Sequence, residues 1–141
     1  MAAADRRVGI CLDENCGRQI APVLRALRAV PHPDIHDARE IDLGGTSDQV
    51  LMITLGQRGY AALITRDSSI LRAALHRDAW RQSGLSLFVL DKKWGNLSLF
   101  EQARRLIWWW PELVRRSGDG EAWLVSAETP GHGIKPLFGA E

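Results

Sequence analysis

What the chain lacks narrows it first. No apolar run approaches the roughly 18 residues a membrane span needs, so no membrane partner is expected. The opening residues, Met1-Ala2-Ala3-Ala4-Asp5-Arg6-Arg7, carry no apolar signal-peptide core, which makes the cytoplasm the expected location. Cysteine is scarce: Cys11 and Cys16 are the two present. Without histidines at finger-like spacing they are no zinc signature, and they read as reduced thiols used as small apolar residues. Charge of one sign is missing as well. Eighteen Lys+Arg against 17 Asp+Glu leave a net charge of +1, which argues against a uniformly basic nucleic-acid coat but allows a local basic patch. The chain has no repeat and no low-complexity tract.

What remains is ordinary globular material. With 141 residues, 45% hydrophobic and 25% charged, the chain is long enough for one domain with a real core. That domain is expected over residues 1–128. Residues 129–141, rich in Gly and Pro at the start, are expected as an extended or flexible tail.

The patterning alternates strand and helix. Val8 to Leu12 reads as a short strand ending in Asp13 and Glu14, with Asn15 a candidate helix cap. Ile20, Val23, Leu24 and Leu27 predict an amphipathic helix over Arg18 to Val30, stopped by Pro31 and Pro33. His32 and His36 surround that turn and read as surface residues. Ile35 to Leu43 is a weaker, edge-type strand. After Gly44-Gly45, Thr46 and Gln49 fit a capping box, opening a helix from Ser47 to Gln57 that buries Val50, Leu51, Ile53 and Thr54 or Leu55. Asp48 falls in its first turn, where the helix dipole favours an anion.

Tyr60 to Thr65 has the continuous apolar character of a central parallel strand and ends before Arg66-Asp67. A helix from Ser69 to Gln82 follows, with Ile70, Leu71, Ala74, Leu75 and Trp80 as core candidates. Leu85 to Leu90 is a further strand, terminated by Asp91, Lys92 and Lys93. Leu97 to Arg116 carries a regular helical stripe in which Pro111 predicts a kink or a second helix. Trp108 and Trp109 lie partly outside that stripe, as a partner surface or as cover for a sheet edge. Glu121 to Ala127 reads as a last short strand.

Such alternation predicts an α/β fold with a mainly parallel sheet. Asp13, Asp67 and Asp91 each end a predicted strand, and Asp48 opens a helix after a glycine turn. In an open α/β sheet those positions converge on one crevice. Any single one of them is equally well explained as a solvated loop acid. Clustered carboxylates repel one another unless a cation neutralises them, and hard oxygen donors suit Mg²⁺ or Mn²⁺. Arg66, Lys92 and Lys93 are candidates for holding a nucleic-acid backbone, although each is also an ordinary surface charge.

Three stretches, Leu12-Asp13-Glu14-Asn15, Gly44-Gly45-Thr46-Ser47-Asp48 and Leu63-Ile64-Thr65-Arg66-Asp67, resemble the signature stretches of PIN-like domains. The match is closest to the compact, toxin-associated branch that includes VapC-type proteins, and it covers Val8 to Trp110. The resemblance implies a three-layer α/β/α sandwich and Mg²⁺- or Mn²⁺-dependent cleavage of RNA. It further implies an endoribonuclease acting as the toxin half of a toxin–antitoxin pair, with an antitoxin and a second copy of the chain as partners. Asp13, Asp48 and Asp67 carry over as catalytic and metal-site acids, with Asp91 and Glu14 as secondary metal candidates. One departure stands out. Many relatives show a further acid two residues beyond the Thr-Arg-Asp motif, where this chain has Ser69. That weakens a fourth ligand and favours the alternative of a PIN-like binding module without catalysis. A phosphate-accepting receiver domain is a third account, fitted only loosely by Asp67 and Lys92.

Overall fold

The computed structural model describes residues 9–27, 34–128 and 133–138. The expected strand start at Val8, the end of the first helix at Arg28 to Val30, and the turn with Pro31, His32 and Pro33 lie outside the described residues.

Six strands form one sheet in the order β2-β1-β3-β4-β5-β6. They are β1 (Ile10–Leu12), β2 (Ile35–Asp37), β3 (Ala62–Thr65), β4 (Ser86–Leu90), β5 (Ala122–Val125) and β6 (Ile134–Pro136). The first five are mutually parallel, and β6 alone runs antiparallel, pairing Val125 with Ile134. Four α-helices are described: α1 (Ile20–Ala26), α2 (Asp48–Gln57), α3 (Ala74–Ser83) and α4 (Leu99–Arg116).

Strand side chains alternate between faces, so each strand feeds two cores. Ile10, Leu12, Ile64, Phe88 and Leu90 pack with Ile20 and Leu24 of α1 and with Leu106, Trp109, Trp110 and Leu113 of α4. Cys11, Leu63, Leu87 and Val89 pack with Leu51, Met52 and Leu55 of α2 and Trp80 of α3. This is the expected α/β/α sandwich. β3 and β4 are buried at every position, as a strand covered on both faces must be.

Local departures from the sequence expectation have physical causes. The Ile35 to Leu43 segment keeps its edge position but is strand only to Asp37. There Asp37 and Glu40 form a capping box that turns the chain into a 3₁₀ helix over Ala38–Ile41. The cap of α2 is Ser47, which accepts from Val50 N–H. Thr46 Oγ1 instead donates to Leu43 O at 2.7 Å, so the Thr46/Gln49 box does not form. Val50 is correspondingly exposed, and Leu51, Met52 and Leu55 take the core.

Helix α3 starts at Ala74 rather than Ser69, because Ser69 is held by Asp67 in a turn. Ile70 and Leu71 are still buried, whereas Leu75 is 65% exposed. In α1 the buried face is Ile20, Ala21 and Leu24, leaving Val23 and Leu27 exposed, and Asn15 is not its cap: Gln19 occupies that position.

Pro111 does not divide α4. Trp109, Trp110 and Leu113 are buried on both sides of it, which outweighs a loss of about 3 kcal/mol for an interior proline. Trp109 covers the sheet, donating from Nε1 to Ser126 O at 3.1 Å, while Trp108 is exposed. The tail expected from residue 129 onward contributes β6 to the sheet, with Leu137 N–H reaching Ala122 O at 2.9 Å.

Candidate functional site

The chain passes from β1 to β2 on one side and returns to β3 on the other, which places a crevice between the carboxyl ends of β1 and β3. Asp13 is the first residue beyond β1. Its N–H donates to Ile64 O at 2.8 Å, continuing the ladder to β3, and its carbonyl accepts from Cys16 N–H at 2.9 Å in the turn that follows. The side chain is 7% exposed. Its Oδ1 accepts from Glu14 N–H at 2.8 Å; its Oδ2 accepts from Thr65 Oγ1 at 2.9 Å and more weakly from Asn15 Nδ2 at 3.4 Å.

Thr65, the last residue of β3, joins this acid to the next. While donating to Asp13, its hydroxyl accepts from Asp67 N–H and from Asn15 Nδ2, both at 3.1 Å. One donor and two acceptor sites are all a hydroxyl has, so Thr65 is saturated. Asn15 closes the loop by accepting from Arg66 N–H at 3.0 Å. Asp67 Oδ1 accepts from both Ser69 N–H, at 2.9 Å, and Ser69 Oγ, at 2.7 Å. The serine at the position of the missing acid is therefore a support for Asp67.

Asp48 enters from the other side as the first residue of α2, half-buried. The turn before it is pinned to the end of β1, because Gly45 N–H donates to Glu14 Oε1 at 2.9 Å. Gly44 packs against the Arg39 side chain, where a Cβ would sit 2.9 Å from Arg39 Cγ. Arg39 is itself braced by the buried Asp37 and donates to Cys16 O at 3.0 Å. The three turns that carry Asp13, Asp48 and Asp67 are thus tied together by hydrogen bonds.

Their electrostatics show a deficit of positive charge. Burial pushes the Asp13 carboxyl above the ordinary range; the hydrogen bonds from Thr65 and Glu14 N–H oppose that, and the charges of Asp48 and Glu14 add to it. Asp48 is raised too, first by burial and then by the charge of Asp67, which also interacts with its proton; His76 pulls the other way. Carboxylates held like this suit a hard divalent cation, and Mg²⁺ needs only one or two of them beside its waters. The donor chemistry of Asp13, Asp48 and Asp67 therefore fits Mg²⁺ or Mn²⁺. Their arrangement is not preassembled, since among the described residues no three His, Cys, Asp or Glu side chains converge as a metal-holding group.

The other sequence candidates separate. Glu14 is exposed and engaged with Gly45. Asp91 lies at the end of β4, two strands from Asp13 in the sheet order. It caps the 3₁₀ turn over Lys92–Asn96 by accepting from Lys93 N–H at 3.0 Å, and no described hydrogen bond or ion pair joins it to the other acids. Arg66 donates to Asn15 O at 3.4 Å and lies against Gly95, on the crevice rim. Lys92 is exposed, and Lys93 pairs with Glu128 at 3.3 Å, both side chains open to solvent, a pair of small energetic weight. Cys11 and Cys16 are buried free thiols, their pKa values driven upward by burial.

Sequence reasoning missed Asn15 and Thr65 as residues of this site. Both carried a signal, since both belong to the acidic motifs themselves.

Residues 9–92, more than half of the chain, match the family model described as "PIN like domain". No curated protein and no solved structure matches the chain.

Proposed function

Because this chain belongs to the PIN-like domain family, whose members are commonly nucleases, we propose that it is a metal-dependent endoribonuclease hydrolysing RNA phosphodiester bonds. The observation that supports this reading is the hydrogen-bonded junction at the β1/β3 crevice, where Thr65 joins Asp13 to the Asp67 backbone and Asp67 acts electrostatically on Asp48. Asp13, Asp48 and Asp67 are the residues that would hold Mg²⁺ or Mn²⁺. The bound ion would supply Lewis-acid activation of water and offset charge on the leaving oxygen. Arg66 at the rim, with Lys92 and Lys93 beyond β4, would hold the RNA backbone as phosphate contacts that carry no sequence information.

The finer assignment, the toxin half of a toxin–antitoxin pair with an antitoxin and a second copy as partners, rests on the motif resemblance alone. A non-catalytic PIN-like binding module is the second reading. It is favoured by Ser69 standing in place of an acid and by the absence of a converged metal group among the described residues. Incubation of the purified protein with a panel of structured RNAs, in Mg²⁺, Mn²⁺ or chelator, decides between them. Metal-dependent cutting lost in both Asp13→Asn and Asp67→Asn is the expected outcome. No cutting by folded wild type that binds the ion would favour the binding module.

A further inference from the structure

The half-buried His76 is the third residue of α3, and Asp48 is the first of α2. Both helices follow parallel strands and precede parallel strands, so both begin at the carboxyl edge of the sheet, and they pack against each other. His76 is also tied to the Asp67 turn. Its Nδ1 lies 3.0 Å from Ile70 O, and Ile70 N–H in turn donates to Asp67 O at 3.2 Å. A carbonyl only accepts, so Nδ1 bears the hydrogen and, in the neutral ring, Nε2 carries the free lone pair. Nε2 has no hydrogen bond among the described residues. Tethering the turn requires one donor, and an asparagine amide would provide it. The second nitrogen is surplus to that structural task.

We propose that His76 is a positioning residue of the acidic site: tethered to Ile70, it stands on the α3 wall of the crevice, and its Nε2 accepts a hydrogen bond from the hydrated divalent cation taken up by Asp48 and Asp67. The inference rests on the metal-dependent reading above and adds to it a residue from an element outside all three acidic motifs. Neighbours of this outer kind typically change metal affinity by about 10–100-fold when removed.

The test measures Mn²⁺ binding without RNA, by electron paramagnetic resonance, with Mg²⁺ calorimetry beside it and thermal melting as the check on folding. His76→Asn keeps a donor for Ile70 O and loses Nε2, whereas His76→Gln places a polar group near the Nε2 position. Binding about tenfold or more weaker in His76→Asn and His76→Ala, with recovery in His76→Gln, is the expected result. His76→Asn binding Mn²⁺ as tightly as wild type, while Asp48→Asn loses it, would overturn the proposal and leave the metal site standing. A wild type that binds neither ion would overturn the metal reading and this proposal together.

Discussion

The Thr65 hydroxyl donates to Asp13 Oδ2 at 2.9 Å and accepts from Asp67 N–H at 3.1 Å, so one buried oxygen holds the ends of β1 and β3 in fixed relation. Thr65→Val preserves the shape and removes every one of these bonds. A buried group left unsatisfied costs about 1–3 kcal/mol, and here the Asp13 carboxylate loses a donor that opposes its desolvation. Urea unfolding should show a loss of that size. Thr65→Ser, which keeps the hydroxyl, should recover most of it. A loss in Thr65→Ser as large as that in Thr65→Val would show that keeping the hydroxyl does not by itself preserve the junction.

Helices α2 and α3 approach closely at Gly56, where an added Cβ would sit 2.6 Å from Ser83 O. Gly56→Ala gains about 1 kcal/mol of helix propensity but must push a backbone oxygen, and overpacking costs about 1–3 kcal/mol. The expected result is a lower melting temperature. A higher one would mean that the two helices separate freely, and Asp48 and His76 would then be poorly fixed relative to each other.

These two contacts show what the sequence made legible and what it hid. Asp13 and Asp67 were readable because each ends an apolar run, and a parallel strand buried on both faces has to be such a run. Asp48 was readable because a glycine turn precedes a capped helix, although Ser47 and not Thr46 does the capping; adjacent hydroxyls offer the same chemistry, and the tertiary fold chooses between them. Asp91 followed the same rule as Asp13, yet it caps its own 3₁₀ turn two strands away. A strand end specifies an edge of the sheet and not a place along it. Pro111 and β6 were hidden because burial of Trp109 and Trp110, and pairing with Val125, outweigh what proline and a Gly-rich approach favour locally.

At the opposite edge of the sheet order from β6, Arg25 makes two hydrogen bonds to the Glu40 carboxylate, at 2.7 and 2.6 Å, and one to Ile35 O at 2.8 Å. Arg25 holds the Glu40 carboxyl down at about 2, against an ordinary 4.5, with the Asp37 N–H assisting. A depressed carboxylate contributes stability that is present above its unfolded pKa and is lost as pH falls through the folded one. Glu40→Gln should therefore destabilise the protein at pH 7 by about 1 kcal/mol or less, the range for a partly exposed pair. The gap between variant and wild type should close as the pH falls from 4.5 towards 2. Chemical unfolding at pH 7, 4 and 2.5 checks it, and a gap that persists at the lowest pH would assign the effect to packing.

Asp13 and Asp48 have the opposite sign. Their carboxyls are raised, so the folded protein binds protons more tightly than the unfolded chain. Their contribution favours folding at acid pH and fades as pH rises through the raised values. In the absence of a divalent ion, Asp48→Asn removes a charge that burial and Asp67 both disfavour. It should raise the melting temperature at pH 7.5 by about 3–5 °C, the size of a 1 kcal/mol change in a domain of this length, and by less at pH 4. Saturating Mn²⁺ should reverse the order at pH 7.5, because a ligand that binds only the folded state stabilises it and the variant has lost a carboxylate. Melting curves of both proteins at the two pH values, with Mn²⁺ and with chelator, measure all of this. A variant less stable than wild type in chelator would show that Asp48 serves the helix N-terminus more than it strains the crevice. An order unchanged by Mn²⁺ would remove Asp48 from the ion site.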